Sequence, residues 1–280
     1  MSGKKRLNRA SRFPGIYLFV LTALMYLPIL FVMIYSFNES KISSVWSGFS
    51  LKWYEQLFKD RAISAALINS LILGALSALG AAVIGTLGAI GTVRTDFKGK
   101  GVMEYIATLP MMTPEIILGM IFLAFFSLIG LPFGMTTLVI AHTAFCIPYV
   151  FMQVKARLVG MDKSYEEAAR DLGANRRRVF FDITLPLIAP AIVSGMMLSF
   201  AMSFDDVIVS VFVTGVSVNT LPILIYTQLK TGVTPKINAL CTLMFAATLI
   251  LVLLSFVIGR SGNKKKNGNT GKKLFQPFLF

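Results

Sequence analysis

The sequence predicts an all-α polytopic membrane protein with six transmembrane helices. Three observations carry that expectation. The chain is 55% hydrophobic and only 14% charged, against roughly 25% charged residues in a soluble domain. Residues 13–38, 62–93, 116–154, 183–204, 207–229 and 237–259 contain no Asp, Glu, Lys or Arg, and a bilayer core needs about 20 apolar residues per helical span. The 27 Lys and Arg collect in short blocks at the ends of these runs, which is how topology is set in a membrane. That placement makes the lipid bilayer, and not nucleic acid, the surroundings that the net charge of +14 answers to.

Taken in order, a basic N-tail (1–14) precedes a membrane domain (15–259) and a basic C-tail (260–280). Span one, 15–37, is too long for the apolar core of a signal peptide and is followed by no small-x-small cleavage site, so it reads as uncleaved. Span two, 65–93, carries Gly74, Ala78, Ala81, Ala82, Gly85, Gly88 and Ala89, small residues that let membrane helices approach closely. Span three, 102–128, contains Pro110, Pro114 and Glu115, and the turn Gly130–Gly134 leads into span four, 135–154, with Pro148 as a candidate kink. Span five, 187–213, meets Asp205 and Asp206 near its far end, and span six occupies 239–259. Thr214, Gly215, Asn219 and Pro222 interrupt the uncharged stretch 207–229, which reads as a short helical excursion at the outer surface and not as a seventh span.

An even number of spans puts both termini on one side. On that side lie five cations in the N-tail, three at Arg94, Lys98 and Lys100, seven between Lys155 and Arg178, and six after Gly259, or 21 of the 27. This asymmetry assigns the N-tail, the C-tail and the 155–186 segment to the cytoplasm.

The cytoplasmic segment is locally readable. Ser164 with Glu167 three residues on has the form of a capping box, and Glu166 and Glu167 suit the positive end of a helix dipole. Ala168 and Ala169 favour helix, and Gly173 is placed to end it. Asn175 can cap a second short helix before Pro186 introduces span five. Arg176, Arg177 and Arg178 oppose the dipole there; they serve either to hold the loop inside against lipid phosphates or to meet an acidic partner.

Glu167-Ala168-Ala169, then Gly173, Ile183 and Leu185-Pro186 at their spacing, resemble the EAA loop of MetI-like ABC-importer permeases. The resemblance implies the type I permease fold, with coupling helices within 163–186 that dock on a separate dimer of ATP-hydrolysing subunits. Glu166, Glu167, Ala168, Ala169, Asp171, Gly173, Ile183, Leu185 and Pro186 would form that coupling surface, with Glu167, Ala168 and Gly173 at its centre. The chain has no Gly-x4-Gly-Lys-Ser/Thr phosphate loop; Gly271-Lys272-Lys273 comes nearest and lacks both the upstream Gly and the hydroxyl. A non-catalytic subunit without a cofactor of its own is therefore expected, with ATP bound by the partner.

Three carboxylates, Glu115, Asp205 and Asp206, fall within or beside apolar spans with no neighbouring cation in sequence. Ionisable residues in such places mark a substrate pathway by default, and an anionic lining favours a cation; outer-end capping of span five by the Asp pair, or pairing of Glu115 with another subunit, are the structural alternatives. His142 reads as a buried hydrogen-bond donor, Cys146 and Cys241 as small buried hydrophobes, and no metal-ligand or catalytic constellation is present. Trp46, Trp53 and Tyr54 suit either an interfacial anchor or a contact with a binding protein.

Ser36-Phe37-Asn38, Trp53-Tyr54, Met111–Glu115, Ser203–Val207, Leu221-Pro222 and Ile237–Leu240 are similar to the spermidine/putrescine branch of the same family, from about Tyr17 to Gly259. Relatives often place Asp after the proline of span three, where this chain has the longer Glu115. The branch implies a bacterial cell membrane, a homologous second permease, an extracytoplasmic substrate-binding protein and a polyamine as cargo. Another small amine, an opine or an aminophosphonate stays open as substrate. An ion-driven secondary transporter would call for inverted repeats, which the sequence does not display.

Overall fold

The computed structural model describes residues 12–41, 45–216 and 218–250. Among them the chain is helical apart from turns and one isolated antiparallel bridge, Asn38 with Phe49. It divides into two compact units, Met1–Asp60 with Lys230–Phe280, and Arg61–Leu229.

In the first unit, α1 (Arg12–Tyr35) turns large apolar side chains such as Phe19, Leu24 and Phe31 outward, as a helix in contact with lipid does. The loop after it is tied by side chains. Trp53, on α2 (Lys52–Lys59), is buried and donates from Nε1 to the Asn38 carbonyl at 2.7 Å. Asn38 in turn donates to the Val45 carbonyl at 2.7 Å and accepts the Ser47 N–H at 3.0 Å. Ser36 and Tyr54 share a hydrogen bond of 2.7 Å. Trp53 is thus a fastener inside this loop, while Trp46 stays half exposed. Lys236, at the start of α11 (Pro235–Ile250), pairs with Asp60. The α11 helix begins close to where the sixth span is expected; the rest of that span, residues 1–11 of the N-tail and the C-tail with Leu274–Phe280 lie outside the described residues.

The second unit is built on three long helices, α3 (Arg61–Arg94), α6 (Met135–Val159) and α8 (Arg176–Asp205), each long and apolar enough to cross a membrane. All three pack on one another. The small residues of α3 make this possible: Ala78, Ala81, Ala82, Gly85 and Ala89 are all buried. Both α3 and α8 approach α6 closely at Val150. A Cβ added to Gly195 would lie 2.8 Å from the Val150 Cα, and one added to Gly85 would lie 3.0 Å from the Ile147 carbonyl oxygen and the Val150 Cβ. Glycine on two helices therefore admits the backbone of a third.

Two expected spans take a different form. The single span 102–128 is two helices, α4 (Lys100–Met112) and α5 (Glu115–Leu128), that meet at 108°. Pro114 disfavours helical geometry at the residue before it, and Thr113 is extended with φ −88° and ψ 132°. The span expected at 187–213 starts earlier, because the second short helix expected before it is continuous with it: Arg176–Arg178 runs through a π-helical stretch, Val179–Thr184, into Leu185–Asp205. Pro186 fits in the first turn of that final stretch without breaking the rod. The same span stops at Asp205, and Asp206 is extended (φ −68°, ψ 129°). Beyond it lie two short helices, α9 (Ile208–Val213) and α10 (Leu221–Thr231).

Candidate functional site

The two helix breaks place all three expected carboxylates on one cavity. It has a volume of about 520 Å³ and is lined by Glu115, Asp205 and Asp206 together with the aromatic side chains of Phe145 and Tyr149. Glu115 occupies the first turn of α5, where the helix dipole favours negative charge. Its carboxylate and that of Asp205 are exposed, and neither makes a hydrogen bond or an ion pair among the described residues.

Asp206 is different. Its side chain is only 6% exposed, and Oδ2 accepts the Ser210 N–H and the Ser210 hydroxyl, each at 2.8 Å, while Oδ1 accepts the Val209 N–H at 3.3 Å. The carboxylate therefore caps α9, taking up N–H groups that a helix start leaves without partners. His142, on α6, is fully buried behind it. Its Nδ1 lies 2.7 Å from the Ser203 hydroxyl, and its Nε2 lies 3.0 Å from the Ser210 hydroxyl and 3.5 Å from Asp206 Oδ2. One imidazole thus links the end of α8 to the start of α9 and holds the break that presents Asp205 to the cavity. Sequence reading identified His142 as a hydrogen-bonded core residue but not its partners. The signal was present as Ser203 and Ser210 flanking the Asp pair inside otherwise apolar runs.

Elsewhere in the unit, α7 (Ser164–Asp171) carries the first half of the 163–186 segment. The expected capping box does not form. Lys163 takes the N-cap position without a side-chain hydrogen bond, because Asp162 accepts the Ser164 N–H at 2.9 Å. That backbone N–H, followed by the Ser164 hydroxyl, holds the Asp162 carboxyl below the usual carboxylate range. The end of α7 matches expectation. Gly173 has φ +86°, its N–H donates to the Arg170 carbonyl at 2.8 Å, and the Ala174 N–H donates to the Ala169 carbonyl at 3.0 Å, a Schellman termination that glycine permits. Asn175 accepts the Arg178 N–H at 2.9 Å and caps the following helix as expected.

The residues expected on the coupling surface separate by direction. Glu167, Ala168, Asp171, Gly173 and Pro186 are exposed; Ala169, Ile183 and Leu185 are half-buried. Glu166 is turned inward and buried, in contrast to the expectation that it joins that surface. It pairs with Arg94 and accepts the Thr184 hydroxyl at 2.6 Å. Adjacent residues on a helix point about 100° apart, and here Glu166 turns inward while Glu167 is exposed. No group of three or more His, Cys, Asp or Glu suited to a metal ion occurs among the described residues.

Comparison with known proteins places this geometry in a family. Residues 81–262 match the binding-protein-dependent transport system inner membrane component family. The chain is 42% identical over 247 residues to the spermidine/putrescine transport system permease protein PotC of Haemophilus influenzae, covering 88% of this chain and 96% of that protein. It is 41% identical over 249 residues to the putrescine transport system permease protein PotI of Escherichia coli K12, covering 86% and 89%. Among solved structures, a chain from a bacterial ABC transporter involved in import of the acidic polysaccharide alginate superposes with a TM-score of 0.69 at 13% identity, over 93% of this chain and 98% of that one. A chain of the MetNI methionine ABC transporter, in an inward-facing conformation, gives 0.57 at 17% identity over 79% and 99%. These two likenesses concern the fold. Helix content, the matched profile and the relatives agree: the chain is a multi-pass membrane permease of the binding-protein-dependent, MetI-like ABC transport family.

Proposed function

We propose that the chain forms half of the translocation pathway of an ATP-driven polyamine importer. One observation carries the choice of cargo: two unpaired carboxylates, Glu115 and Asp205, share a cavity with the aromatic side chains of Phe145 and Tyr149. Ammonium groups joined by short alkyl chains suit that lining. Each cation gains Coulomb attraction from a carboxylate, aromatic rings accept cations over their faces, and the methylenes meet Met202 and Leu118. The names of the 41–42% identical relatives support the same reading.

In this reading the N-tail, the C-tail and α7 face the cytoplasm, a homologous permease closes the other side of the cavity, and a binding protein delivers substrate from outside. The exposed Glu167, Ala168 and Gly173 meet the ATPase, whose closure moves α7 and opens the pathway outward. Proteoliposomes holding the complete importer test it. ATP-dependent uptake of radiolabelled spermidine or putrescine that falls at least tenfold in the Glu115→Gln/Asp205→Asn double variant is expected. Uptake unchanged by that variant, or uptake of a neutral or anionic solute in place of polyamine, overturns it.

A further inference from the structure

The α7 helix has little that holds it to the rest of the unit. Tyr165 and Leu172, the large apolar residues on and beside it, are exposed, and Glu166 is its one buried residue. Around that carboxylate, two other elements converge, joined by a further cation of α7 itself. Arg94 is the last residue of α3, and its guanidinium donates to Glu166 Oε1. Thr184, the last residue of the π-helical stretch at the base of α8 and itself buried, donates its hydroxyl to the same oxygen at 2.6 Å. Arg170, one turn on along α7, lies 4.0 Å from Oε2. The side chains of Glu166 and Arg94 are 9% and 23% exposed, so water does not compete freely for the pair.

From this arrangement we infer that Glu166 is a positioning residue, the pin of a strut through which movement of α7 reaches α3 and α8 together. The inference rests on the importer reading above and assigns within it a role the sequence pattern gave to the docking surface. A buried carboxylate held by donors from separate elements resists sliding in a way that an exposed pair does not. Because α7 has no apolar face to carry load, force applied at Glu167 passes to the membrane helices through Glu166. Arg94 marks the end of a 34-residue helix that packs along α6 and α8, so a displacement at its cytoplasmic end is delivered along the length of the unit. The π-helical turn at Thr184 provides the second attachment, in the kind of irregular helix that recurs at functional sites.

The strut separates coupling from association, and the complete reconstituted importer distinguishes the two. In Glu166→Gln the ATPase subunit should co-purify in wild-type ratio and hydrolyse ATP, while polyamine moved per ATP hydrolysed falls about tenfold or more. Thr184→Val removes one donor, keeps the ion pair and should lower the same ratio about threefold. The Arg94→Glu/Glu166→Arg exchange should couple at least fivefold better than either single reversal, which a simple loss of folding would not produce. Loss of ATPase from Glu166→Gln complexes overturns the inference and returns Glu166 to the docking surface. Wild-type coupling in Glu166→Gln overturns it as well. Should Glu166→Gln fail to assemble, wild-type coupling in Thr184→Val or absence of rescue in the exchange decides against it. A wild-type complex that binds no ATPase and shows no ATP-dependent uptake refutes the importer reading itself, a different outcome from any of these.

Discussion

Replacing Asp205 and Asp206 one at a time by Asn and by Ala tests whether two adjacent carboxylates do different work. Asp206 accepts three hydrogen bonds, from the Val209 N–H, the Ser210 N–H and the Ser210 hydroxyl, and faces buried His142. In Asp206→Ala the lost cap costs about 1 kcal/mol. Leaving buried polar groups at Ser210 and His142 without this acceptor adds roughly 1–3 kcal/mol, so a loss of about 2–4 kcal/mol is expected. Asn keeps one acceptor oxygen and caps about as well as Asp; Asp206→Asn should cost only about 1 kcal/mol. Asp205 makes no such bonds, and Asp205→Asn should shift stability by about 0.5 kcal/mol at most. Its effect belongs to transport. A cation 4 Å from a carboxylate gains about 4 kcal/mol at an effective dielectric constant of 20. Solvent screening at the exposed Asp205 leaves about half of that, and about 2 kcal/mol corresponds to a KM raised some 30-fold. Thermal unfolding of the purified complex reads the first quantity, and initial uptake rates over a range of spermidine concentrations read the second. A stable but transport-dead Asp206→Asn beside a fully active Asp205→Asn would refute the division.

Other perturbations follow from the same geometry. Glu167→Lys should abolish co-purification of the ATPase while membrane insertion, read by protease protection of the tails, is unchanged; retained association would remove Glu167 from the docking surface. Gly195→Val brings a Cβ to within 2.8 Å of the Val150 backbone. It should lower stability by roughly 2–3 kcal/mol as the three-helix crossing is forced apart, seen as an earlier thermal transition in detergent. Gly173→Val forces a β-branched residue into φ +86° at a cost of about 1–3 kcal/mol, confined to the end of α7. Coupling of ATP hydrolysis to uptake should fall, whereas the unfolding temperature of the membrane helices should not.

The architecture was legible wherever composition alone decides it. Charge gaps located the long helices, the Gly and Ala residues of α3 marked the face that packs, and Gly173 and Asn175 announced the turn between α7 and α8. Competition between near-equivalent local choices was not legible. Ser164 and Asp162 can each organise the start of α7, and the carboxylate two residues upstream captured the Ser164 N–H. Pro110 and Pro114 both lie in one apolar run; the chain passes through the first, inside α4, and bends by 108° at the second. Two acidic pairs, Glu166-Glu167 and Asp205-Asp206, read as uniform patches because sequence does not say which member points inward. The answer depends on partners far along the chain: Arg94, 72 residues from Glu166, and His142 on another helix from Asp206. Arg94 had looked like a topological charge at a span end, which it also is.

Helix energetics separate the three cavity carboxylates further and single out the one that, in the proposed function, meets the cargo. Glu115 stands at the start of α5 and Asp206 ahead of α9, positions where the dipole favours an anion by about 0.3–1 kcal/mol. Asp205 is the last residue of α8, where the same dipole opposes a negative charge, and no cation or donor among the described residues compensates it. A carboxylate at membrane depth already costs on the order of 2.5–3.5 kcal/mol. The fold thus gains nothing from this charge, and neutralising it should stabilise the empty protein slightly, by a few tenths of a kcal/mol. A cation arriving in the cavity reverses that balance. Polyamine should therefore raise the unfolding temperature of the wild-type complex and have little effect on Asp205→Asn, even though the variant starts from an equal or higher temperature. An Asp205→Asn protein that is less stable than wild type, and that polyamine stabilises equally, would mean that Asp205 supports the fold and leaves recognition to Glu115.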